Sequence, residues 1–207
     1  MARFVLVHGA WHGAWCFADV VRGLQLRGHE AIAVDLPCDQ VGLTQHDYAA
    51  LVGPQEDAIV LGHSLGAQTV GLVPARTRVY LGALLPVENA GSEAFAEGFG
   101  GFVRDELDRS YWPDADTCAT FMYPDCSREL SDWAFAQLRR QARLNAMPAP
   151  FGAGDVVLAT MRDAAIDPAW QVATGKRHGA HVIELDAGHS PFITQPDELA
   201  GVLDALA

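Results

Sequence analysis

The stretch Ala58-Ile59-Val60-Leu61-Gly62-His63-Ser64-Leu65-Gly66 decides the reading of this chain. Four consecutive apolar residues predict a buried strand, and the run from Leu65 to about Val73 predicts a helix. Between them a Gly-x-Ser-x-Gly pattern puts Ser64 on a sharp strand-to-helix turn, with Gly62 and Gly66 small enough for close backbone passage. Such a turn presents its hydroxyl at the carboxyl edge of a sheet, near the positive end of the following helix. The pentapeptide alone is a weak signal, and its strand-to-helix context is what makes Ser64 a candidate nucleophile.

Outward from this point, short apolar runs alternate with helical patterns, the mark of parallel strands joined by crossover helices. Towards the amino terminus, Phe4 to Val7 and Ala31 to Val34 read as the first two strands. Between them Phe17, Val20, Val21 and Leu24 share one face of a helix that stops at Gly28. Only a short helical piece, Tyr48 to Val52, precedes the central strand. Beyond it, a fourth strand at Val79 to Leu81 continues apolar to Leu85, where Pro86 breaks it. The pattern returns at Val156 to Ala159 and Val182 to Leu185, and a last helix begins at Pro196 with Leu199, Val202, Leu203 and Leu206 on one face. The expectation is an α/β fold of about six parallel strands flanked by helices, in one domain spanning 1–207.

From Pro86 to about Pro150 the periodicity is lost, while Gly, Pro and aromatic residues accumulate. This segment reads as an insertion after the fourth strand. Within it, Leu130, Trp133, Ala134 and Leu138 support a helix. A mostly helical lid is expected, with Trp112, Phe121, Tyr123 and Trp133 lining an apolar substrate pocket above Ser64.

A serine hydroxyl needs a base within hydrogen-bond reach. His189, in Asp186-Ala187-Gly188-His189-Ser190 just after the last strand, falls on the same sheet edge as Ser64. The imidazole needs a carboxylate to hold its tautomer. Asp163 is the first acid after the preceding strand; Asp167 and Asp186 compete, the former as a possible helix cap before Pro168 and the latter very near His189 in sequence. An oxyanion would be met by the amides of Leu65, after the nucleophile, and Ala10, in the loop after the first strand. In that loop, His8-Gly9-Ala10-Trp11-His12-Gly13, His8 is expected to brace the backbone, and Trp11 and His12 either pack or touch substrate.

Three motifs together, HGAWHGAW at His8 to Trp15, GHSLG at Gly62 to Gly66 and GHSPF at Gly188 to Phe192, resemble the α/β-hydrolase family of plant methylesterases and hydroxynitrile lyases with its bacterial relatives. The resemblance runs from Met1 to about Pro86 and from Val156 to the end. Across the insertion it is limited to Tyr123-Pro124-Asp125-Cys126-Ser127. It implies a Ser64, Asp163, His189 triad, an Ala10 and Leu65 oxyanion hole, and a lid. Cys38 departs from the glycine that relatives usually carry after Asp-Leu-Pro, and the 37–54 segment is shorter than the family pattern.

The implied activity is hydrolysis of a small, mostly apolar carboxylic ester through an acyl-enzyme. Two alternatives stay open: a hydroxynitrile-lyase-type carbon–carbon lyase, and a slow-turnover small-molecule receptor. In the lyase branch of the family a lysine follows the catalytic histidine and a threonine stands in the oxyanion loop. Here Ser190 and Gly9 occupy those places, and the single lysine is Lys176. The charge near the site is expected to be net negative, unfavourable for a departing cyanide.

With 26 acidic against 14 basic residues and a formal charge of -12, the chain is a poor partner for nucleic acid or an anionic membrane. At 50% hydrophobic and 19% charged it can bury a substantial core. No apolar stretch approaches the ~20 residues that span a bilayer. The first strand begins too early for a leader, so a cytoplasmic protein is expected, a monomer or homodimer. Cys16, Cys38, Cys118 and Cys126 fit no zinc or redox spacing and are expected to be free thiols, and neither a metal nor an organic cofactor is implied.

Overall fold

Residues of alternate parity along the buried strands face opposite sides of one sheet, and each side needs a layer of helices. The computed structural model of the chain, which describes residues 1–88, 90–145 and 147–207, meets that need with eight strands and eight α-helices. In chain order these are β1 (Arg3–Val7), α1 (Ala18–Leu26), β2 (Glu30–Val34), α2 (Gln45–Val52), β3 (Gln55–His63), α3 (Gly66–Val70) and β4 (Ala75–Leu81). There follow β5 (Val103–Arg104), β6 (Ser110–Tyr111), α4 (Ala115–Met122), α5 (Arg128–Phe135), β7 (Val156–Thr160), α6 (Pro168–Arg177), β8 (His181–Leu185), α7 (Pro191–Thr194) and α8 (Pro196–Asp204).

The main sheet has the order β2-β1-β3-β4-β7-β8, and every neighbouring pair is parallel. Phe4, Leu6, Ile59, Leu61, Val79, Leu81, Val156 and Leu158 form one face, covered by Phe17, Val20 and Leu24 beside α1 and by Leu199, Ala200 and Leu203 of α8. Val5, Val7, Ala58, Val60, Tyr80, Val157 and Ala159 form the other, covered by Tyr48 and Val52 of α2 and by Ala67 and Val70 of α3. Each fully buried aliphatic side chain contributes about 1.5–3 kcal/mol relative to exposure, so the two-sided burial pins the register of β3 at the centre of the sheet.

Three differences from the sequence reading have local causes. The helix after Ser64 is only five residues long, because Pro74 follows and disfavours helix for Val73 before it. The apolar run beyond Leu81 leaves the sheet at Gly82, whose φ of 49° turns the chain, so Ala83 and Leu85 are buried as loop rather than strand. Among the described residues of 86–150, helix is confined to the eight residues each of α4 and α5, capped by Asp114 and Ser127, and the rest is irregular apart from a 3-10 turn (Ser92–Ala94) and the β5–β6 ribbon. The insertion is therefore less helical than expected, since its Gly and Pro content interrupts both periodicities. Its apolar side chains form a separate cluster of Trp112, Cys118, Met122, Tyr123 and Ala134 that also takes in Ala10 and Trp11 from the loop after β1. Among the described residues no helix is long and apolar enough to cross a membrane.

Candidate active site

The turn at Ser64 is left-handed, with φ of 50°, a conformation that a residue with a Cβ enters at a cost of about 1–2 kcal/mol. Packing imposes it. A Cβ on Gly66 would lie 2.4 Å from the carbonyl oxygen of His8, so only glycine lets α3 start against the end of β1. A Cβ on Gly9 would lie 2.8 Å from the Ser64 Cβ, so Gly9 lets the loop after β1 lie against the serine. Ser64 N–H donates to Leu81 O (3.1 Å), which ties the turn to the end of β4.

His189 is buried in the loop after β8, and its Nδ1 lies 2.9 and 3.0 Å from the two carboxylate oxygens of Asp163. With Nδ1–H donating to that carboxylate, Nε2 carries the free lone pair. Asp163 is itself buried and accepts further hydrogen bonds from the amides of Ala165 (2.8 Å) and Ile166 (2.9 Å), from Thr160 Oγ1 (2.7 Å) and from Gln171 Nε2 (3.3 Å). This many donors fix the carboxylate in place. Neither competing acid is near the imidazole: Asp167 caps α6 by accepting from Trp170 N–H (2.6 Å), and Asp186 is 89% exposed in its side chain and pairs with Arg162 (2.8 Å).

Ser64, His189, Ala10, Leu65 and Trp11 line one cavity of about 510 Å³. Among the described residues Ser64 Oγ, which shares this cavity with His189, makes no hydrogen bond to it; in serine nucleophile–base pairs this contact often tightens only with substrate. Among the described residues neither the Ala10 N–H nor the Leu65 N–H has a protein acceptor. His8 accounts for the aim of the first. Its Nε2 accepts from Leu36 N–H (3.0 Å), so Nδ1 carries the proton and donates to Gly9 O (2.8 Å). That carbonyl belongs to the same planar peptide as the Ala10 N–H, so holding one end directs the other.

His12 takes the first of its two expected roles, packing within the loop, and Tyr123 hydrogen-bonds to it rather than lining the cavity. His12 is fully buried, its Nδ1–H donates to Ala10 O (2.8 Å), and its Nε2 accepts from Tyr123 O–H (2.8 Å). Burial holds its pKa down to about 3 and that of His8 down to about 4, so both are neutral braces at ordinary pH. Burial also pushes the His63 pKa well down, and its Nε2–H donates to His189 O (3.0 Å).

None of Trp112, Phe121, Tyr123 and Trp133 lines the cavity. Trp112 and Phe121 stack behind it, and Trp133 is 50% exposed and packs edge-on against Trp15. The insertion instead supplies Phe95, Phe99, Phe102 and Met122, together with Arg104 and Arg143. Aromatic density thus pointed to the segment that supplies much of the cavity wall but not to the residues that line it, because an aromatic facing a cavity and one facing a core look alike in sequence. The expected negative charge is also corrected: among the described residues no Asp or Glu lines the cavity.

Sequence reasoning gave no role to Asp125, whose Oδ2 accepts from Gly188 N–H (2.8 Å), next to His189. The stretch Tyr123 to Ser127 thus ties the insertion to both loops of the site, and it is the piece of the insertion to which the family resemblance was limited. Thr160 and Gln171, which hold Asp163, carried none. All four cysteines are free, Cys118 and Cys126 included.

Residues 4–202 match the pattern of the alpha/beta hydrolase family. A carbendazim hydrolyzing esterase from Nocardioides sp. (strain SG-4G) is 27% identical over an alignment of 244 positions that covers both chains in full. Methylesterase 3 of Arabidopsis thaliana is 30% identical over 152 residues, 63% of this chain and 55% of that protein. The crystal structure of a methylesterase from Arabidopsis superposes with a TM-score of 0.77 at 21% identity, covering 100% of this chain and 98% of the other.

Proposed function

Because the chain belongs to the alpha/beta hydrolase family, we propose that it hydrolyses carboxylic esters through a serine acyl-enzyme. Ser64 Oγ attacks the ester carbonyl while His189 Nε2 takes its proton, and Asp163 stabilises the imidazolium that forms. The negative oxygen of the tetrahedral intermediate is met by the Ala10 and Leu65 amides, and losing one such donor costs about 10^2–10^3 in rate. Collapse expels the alcohol, which receives the proton from His189. Water, deprotonated by the same nitrogen, then attacks the acyl carbon and releases the acid.

The observation that carries this reading is the left-handed turn holding Ser64 in a cavity that also contains the Asp163-bound His189 and two unengaged amides. The names of the relatives support it: one is a carbendazim hydrolyzing esterase, another a methylesterase. The substrate class follows from the lining, mostly aromatic and aliphatic, which suits a small ester with an apolar body. On the same reading 1–207 is one domain, 86–150 acts as its lid, and the protein is a cytoplasmic monomer or homodimer that needs no cofactor. The free thiols are consistent with a reducing compartment.

A fluorophosphonate probe should label the native protein at Ser64 and leave Ser64→Ala unlabelled, and short aryl esters should be turned over. Cyanide release from a mandelonitrile-type substrate with no ester turnover would replace this reading with a lyase. Labelling with only one slow turnover per molecule would point to a receptor.

A further inference from the structure

Resting on the hydrolase reading, the geometry points to a specific feature of the substrate: an ester that also bears a free carboxylate, held by Arg104 and Arg143. The protein carries 26 acidic residues against 14 basic ones, so a cavity lined at random would be more acidic than basic. Among the described residues lining this cavity, the only side chains of fixed charge are Arg104 and Arg143, set beside the polar groups of Gln141 and Asn145. The rest of the wall is largely apolar, so the cavity combines an apolar body with a cationic, hydrogen-bonding patch.

Backbone pairing brings the two arginines together. Arg104 pairs with Ser110 across the β5–β6 ribbon, and Ser110 and Gln141 exchange both backbone hydrogen bonds at 2.8 Å. Arg104, Ser110 and Gln141 therefore form a row, and Arg143 lies two residues beyond Gln141. One carboxylate serves both guanidinium groups: Asp108, at the ribbon's left-handed turn, accepts from Arg104 Nη1 and from Arg143 Nη1, each at 3.2 Å. Arg104 Nη1 also donates to Asp108 O (2.7 Å). One negative charge against two positive ones leaves the trio cationic. Among the described residues Nε and Nη2 of both arginines are unengaged, and those two N–H groups form the fork that meets a carboxylate in a bidentate way. The ribbon and the segment bridged to it at Gln141 thus place both arginines in the cavity wall, joined through Asp108.

The test uses the full chain and two matched probe pairs. Turnover compares para-nitrophenyl hydrogen glutarate with para-nitrophenyl pentanoate, and binding compares phenylbutyrate with its amide by quenching of tryptophan fluorescence, Trp11 being in the cavity wall. The carboxylated member should be favoured about tenfold in kcat/KM and in affinity at low salt, a preference that shrinks towards about 0.5 M salt. In Arg104→Gln/Arg143→Gln, and to a lesser extent in Arg143→Gln alone, the carboxylated-to-neutral ratio should fall towards unity, with the unfolding midpoint as the control for folding. Equal binding of the two ligands, binding of neither, or a preference retained in the double variant overturns the anion site. Turnover of neither ester with phenylbutyrate still preferred overturns the hydrolase reading and leaves the anion site standing; turnover of both at equal rates does the reverse.

Discussion

The sheet and the insertion solve different problems with the same chain. In the sheet, Phe4 to Val7, Ala58 to Leu61 and Val79 to Leu81 are wholly excluded from solvent, and the candidate triad emerges from loops at the carboxyl ends of β3, β7 and β8. In the insertion, two helices of eight residues and a ribbon of two-residue strands depend on a small aromatic cluster that borrows Ala10 and Trp11 from the loop after β1. On the proposed reading, the comparison teaches that reaction chemistry is placed on the over-determined part of the molecule and substrate choice on the thinly held part. Catalytic geometry tolerates errors of only fractions of an ångström, whereas a cavity wall can change one side chain at a time.

The sharpest way to break the comparison is at Ser64. Ser64→Ala and His189→Ala should each lower kcat on the order of 10^6-fold while leaving the unfolding midpoint close to the native value, as expected for groups that act as a unit. Ser64→Gly separates chemistry from fold. It should be equally inactive yet gain about 1 kcal/mol in urea unfolding, because glycine relieves the left-handed φ of 50°. A Ser64→Gly variant less stable than native would remove the strain argument. Asp163→Asn should cost about 10^4 in kcat by favouring the wrong imidazole tautomer.

Acid should find the histidines that brace the site. His8, His12 and His63 are protonated in an unfolded chain near pH 6.5, but burial holds the native values of the first two to about 4 and 3 and the third well down. Between those limits the unfolded state binds more protons, so stability is complete above the unfolded value and falls as pH drops towards the native ones. The expected loss between about pH 7 and pH 5 is about 2 kcal/mol for each of His8 and His12. Urea midpoints across that range measure it, and His12→Gln should flatten the slope. A pH-independent midpoint between those limits would mean that these imidazoles are not held neutral by burial.

The seam between the two regions is tested next. Tyr123→Phe keeps the ring but leaves His12 Nε2 buried without a donor, so it should destabilise by about 1–3 kcal/mol. The loss should be read in thermal unfolding, with a smaller effect on turnover than any triad substitution. A loss confined to turnover would show that Tyr123 touches substrate after all.

Legibility in the sequence follows the same division. Buried parallel strands read directly from Ala58 to Leu61 and Val156 to Ala159, because burial on both faces demands a continuous apolar run. Ser64 and His189 stood out as candidates because they follow such runs. The ends of elements were less so: Gly82 ends β4 through its φ, which hydrophobicity does not encode, and Pro74 truncates α3 from outside the apolar pattern. In the insertion only the helical spacing of Leu130, Trp133, Ala134 and Leu138, which became α5, and the stretch Tyr123 to Ser127 carried a signal. Arg104 and Arg143 share a cavity because Ser110 pairs with Gln141 across 31 residues, and no local pattern reports a contact of that range.

The smallest expected effects concern the acids that compete with Asp163 in sequence, and they decide whether the scaffold's chemistry is as narrowly placed as proposed. Asp186 lies three residues before His189, yet its carboxylate is 89% exposed and, among the described residues, pairs only with the half-exposed Arg162. An exposed ion pair of this kind is worth about 0.2–1 kcal/mol, and salt screens it. Asp186→Asn should therefore shift the unfolding midpoint within that range and keep kcat. Asp167 is a step larger, because its side chain accepts from Trp170 N–H at the start of α6, and losing such a cap costs about 1 kcal/mol. Asp167→Ala should show that loss in urea unfolding, with turnover retained, since the bonds that fix Asp163 come from Thr160, Ala165, Ile166 and Gln171 instead. Because Gln171 lies on α6, fraying of its first turn should reach Asp163 only weakly, as a change in kcat of about twofold or less, an energy below ~0.5 kcal/mol. A loss on the order of 10^4 in either variant, with Asp163→Asn near native, would move the orienting carboxylate to that residue and show that the sheet edge does not by itself determine which acid serves His189.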